Sequence, residues 1–465
     1  MSGVRNKSMR IALFTDSFYP ELGGIQDSIL ASARELGARG HAVAIFAPAA
    51  SPRDFARANL SMGEPALARP ALGGLALGGL ALGGLALGGL AMGGPALGGP
   101  ALGCHGPSEP VPSEPALGDT VEVHRLFALP MPGSTGQSRL VLPTGRRWRA
   151  VARFRPDVIH SHTFLGVGLE ALAVAHRLRT PLIGTNHWAI GEFNVYAPVA
   201  RGAVARGCWR ALARYYNRCD WVSAPSRATM ADMRAHGFRR PGAVISNPID
   251  TACFRPPAPG ERQALKARFG LGRATVLFAG RLAREKRIDV LLRALPALRQ
   301  VVPEAELVLA GHGSARGALE TLARDLGVAA HVRFTGTLRH DALAELCRAA
   351  DVFALASTSE SQSMVLLQAM SAGLASVGAR HGPLVEYITP EVGLLAEPGQ
   401  PEAFAQALAG LLRQPDLRAA MEARATRHVA QFGVPVVVDA WQDVYVRASR
   451  GEAAAAAPEW SLSCA

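Results

Sequence analysis

The chain has 465 residues, enough for about two to three domains of the usual ~100–200 residues. At 49% hydrophobic and 18% charged it can bury large cores, which excludes a globally disordered protein. Its 49 Lys+Arg against 37 Asp+Glu give +12, which admits nucleic acid, anionic membrane or an anionic small molecule as partner without choosing among them. Residues 1–247 hold 26 basic and 15 acidic side chains, whereas residues 248–465 hold 23 and 22. That asymmetry points to two domains with different partners. Six cysteines lie scattered with no C-x-x-C pair, which disfavours a zinc ribbon, a redox motif or a disulfide scaffold and makes a reduced cytosol the default compartment. Met1 to Arg10 is short and polar, with no signal peptide evident.

In chain order, strands are expected at Arg10–Thr15 and Ala42–Ala47, with an amphipathic helix over Ser28–Gly40 between them. A five-residue repeat follows, ALGGL four times and then AMGGP, ALGGP and ALG, from Ala71 to Gly103. It carries 13 glycines and no charge. Each glycine costs a helix about 1 kcal/mol, and a five-residue period turns ~140° per repeat, so no membrane-spanning face builds up. Residues 51–118 therefore read as a low-complexity surface insertion.

Strands are expected next at Val121–Arg125, Val158–His160, Pro181–Thr185 and Trp221–Ala224. A second series follows at Ala274–Ala279, Glu306–Ala310, Val332–Thr335, Val352–Ala356 and Ala375–Gly378. Helical stretches such as Val290–Val302, Ala315–Leu326 and Glu402–Leu412 separate them. Such alternation implies an α/β protein with two doubly wound parallel sheets. The expected units are 9–247, 248–431, a helix at 432–449 returning to the first domain, and a disordered tail at 450–465. Ligands of such sheets bind beyond the carboxyl ends of strands, so the strand-to-helix loops carry the candidate chemistry.

After the first strand, Gly23 and Gly24 open a helix; they allow close backbone approach to an anion, or simply a tight turn. After Ala274–Ala279 come Arg281 and Lys286, a spacing that suits a pyrophosphate or a solvated basic turn. Gly311-His-Gly313 resembles a dinucleotide loop, without the acidic residue expected downstream. The stretch Ser357-Thr-Ser-Glu360-Ser-Gln-Ser-Met364-Val365-Leu-Leu-Gln368 runs into a helix expected from about Gln362. Met364 and Val365 would offer backbone N–H groups to phosphate, and Glu360 and Gln368 would hydrogen-bond sugar hydroxyls. A plain capped core helix is the alternative. His160 and His162 alternate on one strand end, with no third metal ligand and no Asp-x-Asp evident.

Arg281 with Lys286, Glu360 eight residues before Gln368, the Pro20-Glu-Leu-Gly-Gly loop, Ser246-Asn-Pro-Ile-Asp250 and Gly393-Leu-Leu-Ala-Glu-Pro398 resemble the retaining glycosyltransferases of family 4, whose GT-B fold has two Rossmann-like domains around a cleft. The likeness covers nearly the whole chain except 51–118 and the tail, and the SESQS version looks like diacylglycerol glucosyltransferases. It implies a nucleotide-diphosphate sugar donor, UDP- before GDP-, with no cofactor or metal. Arg281 and Lys286 would neutralise the leaving diphosphate, Gly23 and Gly24 would let the first domain close over it, and Glu360 would hold the sugar. Gln368 stands where the family usually has a second Glu on the ribose. His187 in Gly184-Thr-Asn-His187 matches the family's active-site histidine, and transfer would retain anomeric configuration.

Arg139–Arg155 carries six arginines and no acid, and Arg201–Arg218 carries five and no acid. Arg206, Arg210, Arg214 and Arg218 step by four, opposite Leu212, Tyr215, Tyr216 and Trp209. The pattern fits either a helix with interfacial aromatics at an anionic membrane or one packed on its own domain with a solvated arginine face. With the SESQS resemblance it points to a lipid acceptor and a peripheral position at the inner membrane face. A soluble or polysaccharide acceptor, and a catalytically silent protein, are the alternatives; no motif supports nucleic acid.

Overall fold

In the computed structural model, residues 8–20, 23–50, 117, 119–130, 139–144, 147–189 and 201–452 are described. The ALGGL repeats and the residues after 452 lie outside them. The first sheet contains β1 (Arg10–Phe14), β2 (Ala42–Pro48) and β3 (Val121–Leu126). A two-residue hairpin, β4 (Leu129–Pro130) with β5 (Arg139–Leu140), interrupts the chain. The sheet resumes with β6 (Val158–Ser161), β7 (Leu182–Thr185), β8 (Trp221–Ala224) and β9 (Gly242–Val244). Its order is β3-β2-β1-β6-β7-β8-β9, and every pairing is parallel.

The second sheet is built from β10 (Ala274–Ala279), β11 (Ala305–Ala310), β12 (Val332–Gly336), β13 (Val352–Leu355), β14 (Ala375–Ala379) and β15 (Gly393–Ala396). Its order is β12-β11-β10-β13-β14-β15, again all parallel. All six residues of β10 are buried. A strand covered on both faces reads in the sequence as an unbroken apolar run, which is why β10 was legible.

The edge strands β9 and β15 escape sequence reading. Gly-Ala-Val and Gly-Leu-Leu-Ala are short and begin with glycine, which disfavours a strand on propensity. Gly393 is required by the tertiary fit: a Cβ there would lie 2.4 Å from the Ser376 carbonyl oxygen on β14.

Helices cover both faces of the first sheet. Helices Trp148–Phe154, Gly166–Leu178 and Arg201–Tyr216 pack on one face, through Val151, Val167, Val174, Leu212 and Tyr216. On the other face helix Gly24–Ala38 lies beside helix Val434–Ser449, which buries Val437, Val438, Trp441, Val444 and Tyr445 in the same cluster as Ile29, Leu36 and Ile45. The last helix among the described residues thus completes the first domain's core. Arg39 ties the two helices, with Nη1 2.6 Å from Asp439 Oδ1 and Nη2 donating to the Pro435 carbonyl at 3.0 Å.

Among the described residues the chain crosses between domains twice, and the crossings lie side by side. Ile249 N–H donates to the Phe432 carbonyl at 2.8 Å and Val434 N–H donates to the Ile249 carbonyl at 3.2 Å. Paired crossings of this kind form a hinge that both strands must bend together.

Candidate active site

In each sheet the strand order reverses at one place, between β1 and β6 and between β10 and β13. Such switch points leave a crevice beyond the strands' carboxyl ends. The loop after β10 carries Arg281 and Lys286, and the loop after β13 carries Ser357–Ser363, so the two stretches singled out in the sequence are neighbours in space. Lys286 Nζ lies 2.9 Å from Glu360 Oε1, with both side chains largely buried. Arg281 Nη2 lies 2.7 Å from the fully buried Glu285 Oε1. Each cation is thus held by a carboxylate, which fixes its position at the switch point. The Gly311-His-Gly313 loop packs against this same segment: a Cβ on Gly311, whose φ is +145°, would lie 1.9 Å from the Gly280 carbonyl oxygen. Glycine is needed there for a backbone-to-backbone approach, which accounts for the spacing without any dinucleotide.

The helix after β13 spans Met364–Ser371, two residues later than expected, because Ser363 is its cap: Ser363 Oγ accepts from Leu366 N at 3.3 Å. Met364 and Val365 are therefore its first two residues, whose N–H groups have no acceptor inside the helix. Gly24, the first residue of helix Gly24–Ala38, faces Met364 so closely that a Cβ on it would lie 2.7 Å from Met364 Cγ. Two helix N-termini, one from each domain, meet here, and both favour an anion. Gly23 precedes this contact with extended backbone, and Gln368 sits in the second turn of the Met364 helix, 4% exposed.

Three histidines stack along the end of the first sheet. The ring centroids of His160 and His162 are 4.1 Å apart, and those of His162 and His187 are 5.3 Å apart. His160 uses both nitrogens, Nδ1 to the Tyr445 hydroxyl at 2.8 Å and Nε2 to Thr185 Oγ1 at 2.7 Å. His162 Nδ1 meets His187 Nε2 at 3.0 Å, and His187 Nδ1 is buried with no hydrogen-bond partner among the described residues. Burial pushes the His187 pKa down to about 4 and those of His160 and His162 well below the usual histidine value. The three rings are neutral at pH 7. These groups bind protons in the unfolded chain near pH 6.5 and not in the folded one, so stability falls as pH drops from 6.5 towards 4. Each contributes a slope of up to about 1.4 kcal/mol per pH unit. Urea midpoints measured between pH 7.5 and 5 are expected to show this fall, with a shallower slope in His187→Asn; an unchanged slope in that variant would contradict the neutral buried ring.

The Ser359–Ser363 loop also joins the domains, which sequence reading missed. Ser361 Oγ donates to the His187 carbonyl at 2.7 Å, and the Ser361 carbonyl accepts from Thr229 Oγ1 at 3.0 Å. Gln362 Oε1 accepts from Asn247 N at 2.9 Å, and its Nε2 donates to Ser246 Oγ at 2.5 Å. Glu386 of the second domain caps helix Arg227–Ala235 of the first, accepting from Arg227 N at 2.9 Å and Ala228 N at 2.6 Å. Ser226, a serine at the N-cap of that helix whose side chain accepts from Thr229 N, is a sequence trace of this contact.

The arginine-rich segment needs correction. Helix Arg201–Tyr216 exposes Arg206, Arg210 and Arg214, but it ends before Arg218. Trp209 does not stand out as an interfacial aromatic: its ring stacks on His236 at 4.0 Å, because stacking on a neighbouring ring shields indole from water. Tyr215 and Tyr216 are buried, the latter donating from its hydroxyl to the Thr185 carbonyl at 2.9 Å. Apolar exposure lies elsewhere, on the β4–β5 hairpin and its flanks: Phe127, Leu129, Leu140 and Leu142.

Residues 261–428 match the family described as Glycosyl transferases group 1, and residues 101–252 match Glycosyltransferase Family 4. A D-inositol 3-phosphate glycosyltransferase of Nocardiopsis dassonvillei is 31% identical over 314 residues, 64% of this chain and 72% of that protein. A second such enzyme, from Catenulispora acidiphila, is 35% identical over 312 residues, 63% of this chain and 70% of that protein. Among solved structures, Anabaena HepE in complex with UDP-glucose superposes with a TM-score of 0.66 at 18% identity, covering 94% of this chain and 99% of HepE. Two doubly wound domains facing each other across a crevice, with these matches, define a GT-B glycosyltransferase. The chain belongs to family 4 of that class.

Proposed function

We propose that the protein moves a hexosyl group, with retained anomeric configuration, from a UDP-sugar to a hydroxyl of a membrane lipid such as diacylglycerol while bound peripherally to an anionic membrane. Lys286 beside Glu360 at the second switch point is the observation that carries the donor half. In this reading Arg281 and Lys286 take the departing diphosphate, helped by the Met364 and Val365 N–H groups, and Glu360 accepts from a sugar hydroxyl. His187, neutral and with Nδ1 unmatched among the described residues, hydrogen-bonds the sugar from the first domain. Gln368 holds the ribose through an amide, giving up the charge-assisted bond a Glu would make. HepE, whose structure contains UDP-glucose, supports uracil as the donor base.

The acceptor half rests on exposed apolar side chains. Phe127, Leu129, Leu140 and Leu142, with Phe127 65% exposed, belong to a hairpin just past the carboxyl end of β3, where they can enter a bilayer surface. Arg206, Arg210 and Arg214 add attraction of roughly 1 kcal/mol each near anionic lipid. No helix among the described residues is long and apolar enough to cross a membrane. A soluble phosphorylated polyol is the second reading, favoured by the likeness to the D-inositol 3-phosphate glycosyltransferases.

The test offers UDP- and GDP-hexoses with anionic vesicles containing diacylglycerol, and separately with inositol 3-phosphate, and reads product anomeric configuration by NMR. Lipid product is expected, with vesicle affinity falling about 100-fold when the three arginines become glutamine. Turnover with inositol 3-phosphate and none with lipid would replace the lipid reading.

A further inference from the structure

Beyond the sheets' switch points, a second cluster of chemistry-bearing residues sits at the hinge. Asp250 and Cys253 lie on the first crossing between domains, one turn apart, directly after Ile249 pairs with the returning chain. His340 begins the helix His340–Ala349 of the second domain. A carboxylate oxygen of Asp250, the thiol of Cys253 and a ring nitrogen of His340 all lie within 4.8 Å of one another, and all three residues are partly buried. Among the described residues this is the one group of three such ligands so arranged.

The surroundings order each ligand. Asp250 Oδ1 accepts from Ala252 N at 3.2 Å and Cys253 N at 3.0 Å, which fixes the turn. The His340 ring packs edge-on against buried Phe254, with centroids 4.8 Å apart. Asp27, from helix Gly24–Ala38 of the first domain, places Oδ2 3.6 Å from His340 Nδ1. A thiolate, an imidazole and a carboxylate are the donor set of zinc, which binds sulfur at ~2.3 Å and nitrogen or oxygen at ~2.0–2.2 Å in a tetrahedron. That geometry brings its ligands to about 3.3–3.8 Å from one another. Rotations of three partly exposed side chains close the remaining distance.

We propose that Asp250, Cys253 and His340 form a zinc site that fixes the inter-domain crossing to the second domain, with Asp27 supplying a carboxylate from the first. This stands apart from the proposed transfer reaction, and its test reads the metal rather than turnover.

The experiment titrates the full-length apo protein with Zn2+ against a chromophoric chelator and with Co2+ followed by absorption. One equivalent is expected to bind, with a thiolate-to-cobalt charge-transfer band. Cys253→Ser should abolish that band, and His340→Ala should weaken zinc by at least about tenfold. Cys208→Ser, on a helix of the first domain, should change neither, and far-UV circular dichroism verifies that each variant is folded. Absence of stoichiometric binding in the wild type overturns the proposal, as does a charge-transfer band that persists in Cys253→Ser.

Discussion

Replacing Lys286 with alanine is expected to lower kcat/KM for sugar transfer by about 10²- to 10³-fold, the size of effect seen when one preorganised electrostatic donor is removed from a transition state. The reasoning begins from the strand order. Lys286 and Glu360 belong to the two loops of the switch point, and their 2.9 Å ion pair is largely shielded from water. Charge that develops on a departing diphosphate is poorly screened in such a place, so a fixed cation there is worth more than on an open surface. Alanine also leaves Glu360 a buried carboxylate without its cation, which by itself destabilises the fold. The double variant Lys286→Ala/Glu360→Gln separates these effects. It is expected to recover stability in urea while transfer stays low. Lys286→Arg keeps the charge and should retain more activity than alanine. Steady-state kinetics with a saturating acceptor provide the measurement, and a Lys286→Ala rate within twofold of wild type would refute the role assigned to this cation.

The second large effect is on stability. Trp441→Ala should cost about 3–5 kcal/mol, the usual range for emptying a buried indole site. Trp441 is 5% exposed and its ring lies 4.4 Å from that of His160 and 6.1 Å from that of Trp221. It belongs to helix Val434–Ser449, yet the rings it packs against beyond that helix, His160 and Trp221, are in the first domain. The loss should therefore appear as a lower urea midpoint, with faster hydrogen exchange in β6 and β8. A change below about 1 kcal/mol would mean that the terminal helix contributes little to this core. Tyr445, one turn further on, hydrogen-bonds His160 and so couples the same helix to the histidine stack beside the cleft.

Much of this architecture is legible in the sequence because its signals are local. Buried parallel strands such as β10 are continuous apolar runs, and helices such as Ile288–Val301 carry an apolar face at the helical period. Arg281, Lys286, Glu360 and Met364 stand out because loops after strands are where such folds place chemistry. The short edge strands β9 and β15 did not stand out, since glycine and few residues give no periodicity to read.

The asymmetric charge and the alternation of strand and helix are properties of the chain itself and pointed to two doubly wound domains, while the class of protein came from the resemblance of its motifs to family 4 and from the matches to it. Tertiary structure decided which of these groups touch: that Glu360 holds Lys286, that Gly24 meets Met364, that Trp209 turns onto His236 rather than outward, and that Ser361 and Gln362 join the domains. It alone brought Asp250, Cys253 and His340 together. Periodicity and propensity act over a few residues, whereas these pairings span tens to hundreds, and only packing of the two sheets and the paired crossings sets their distances.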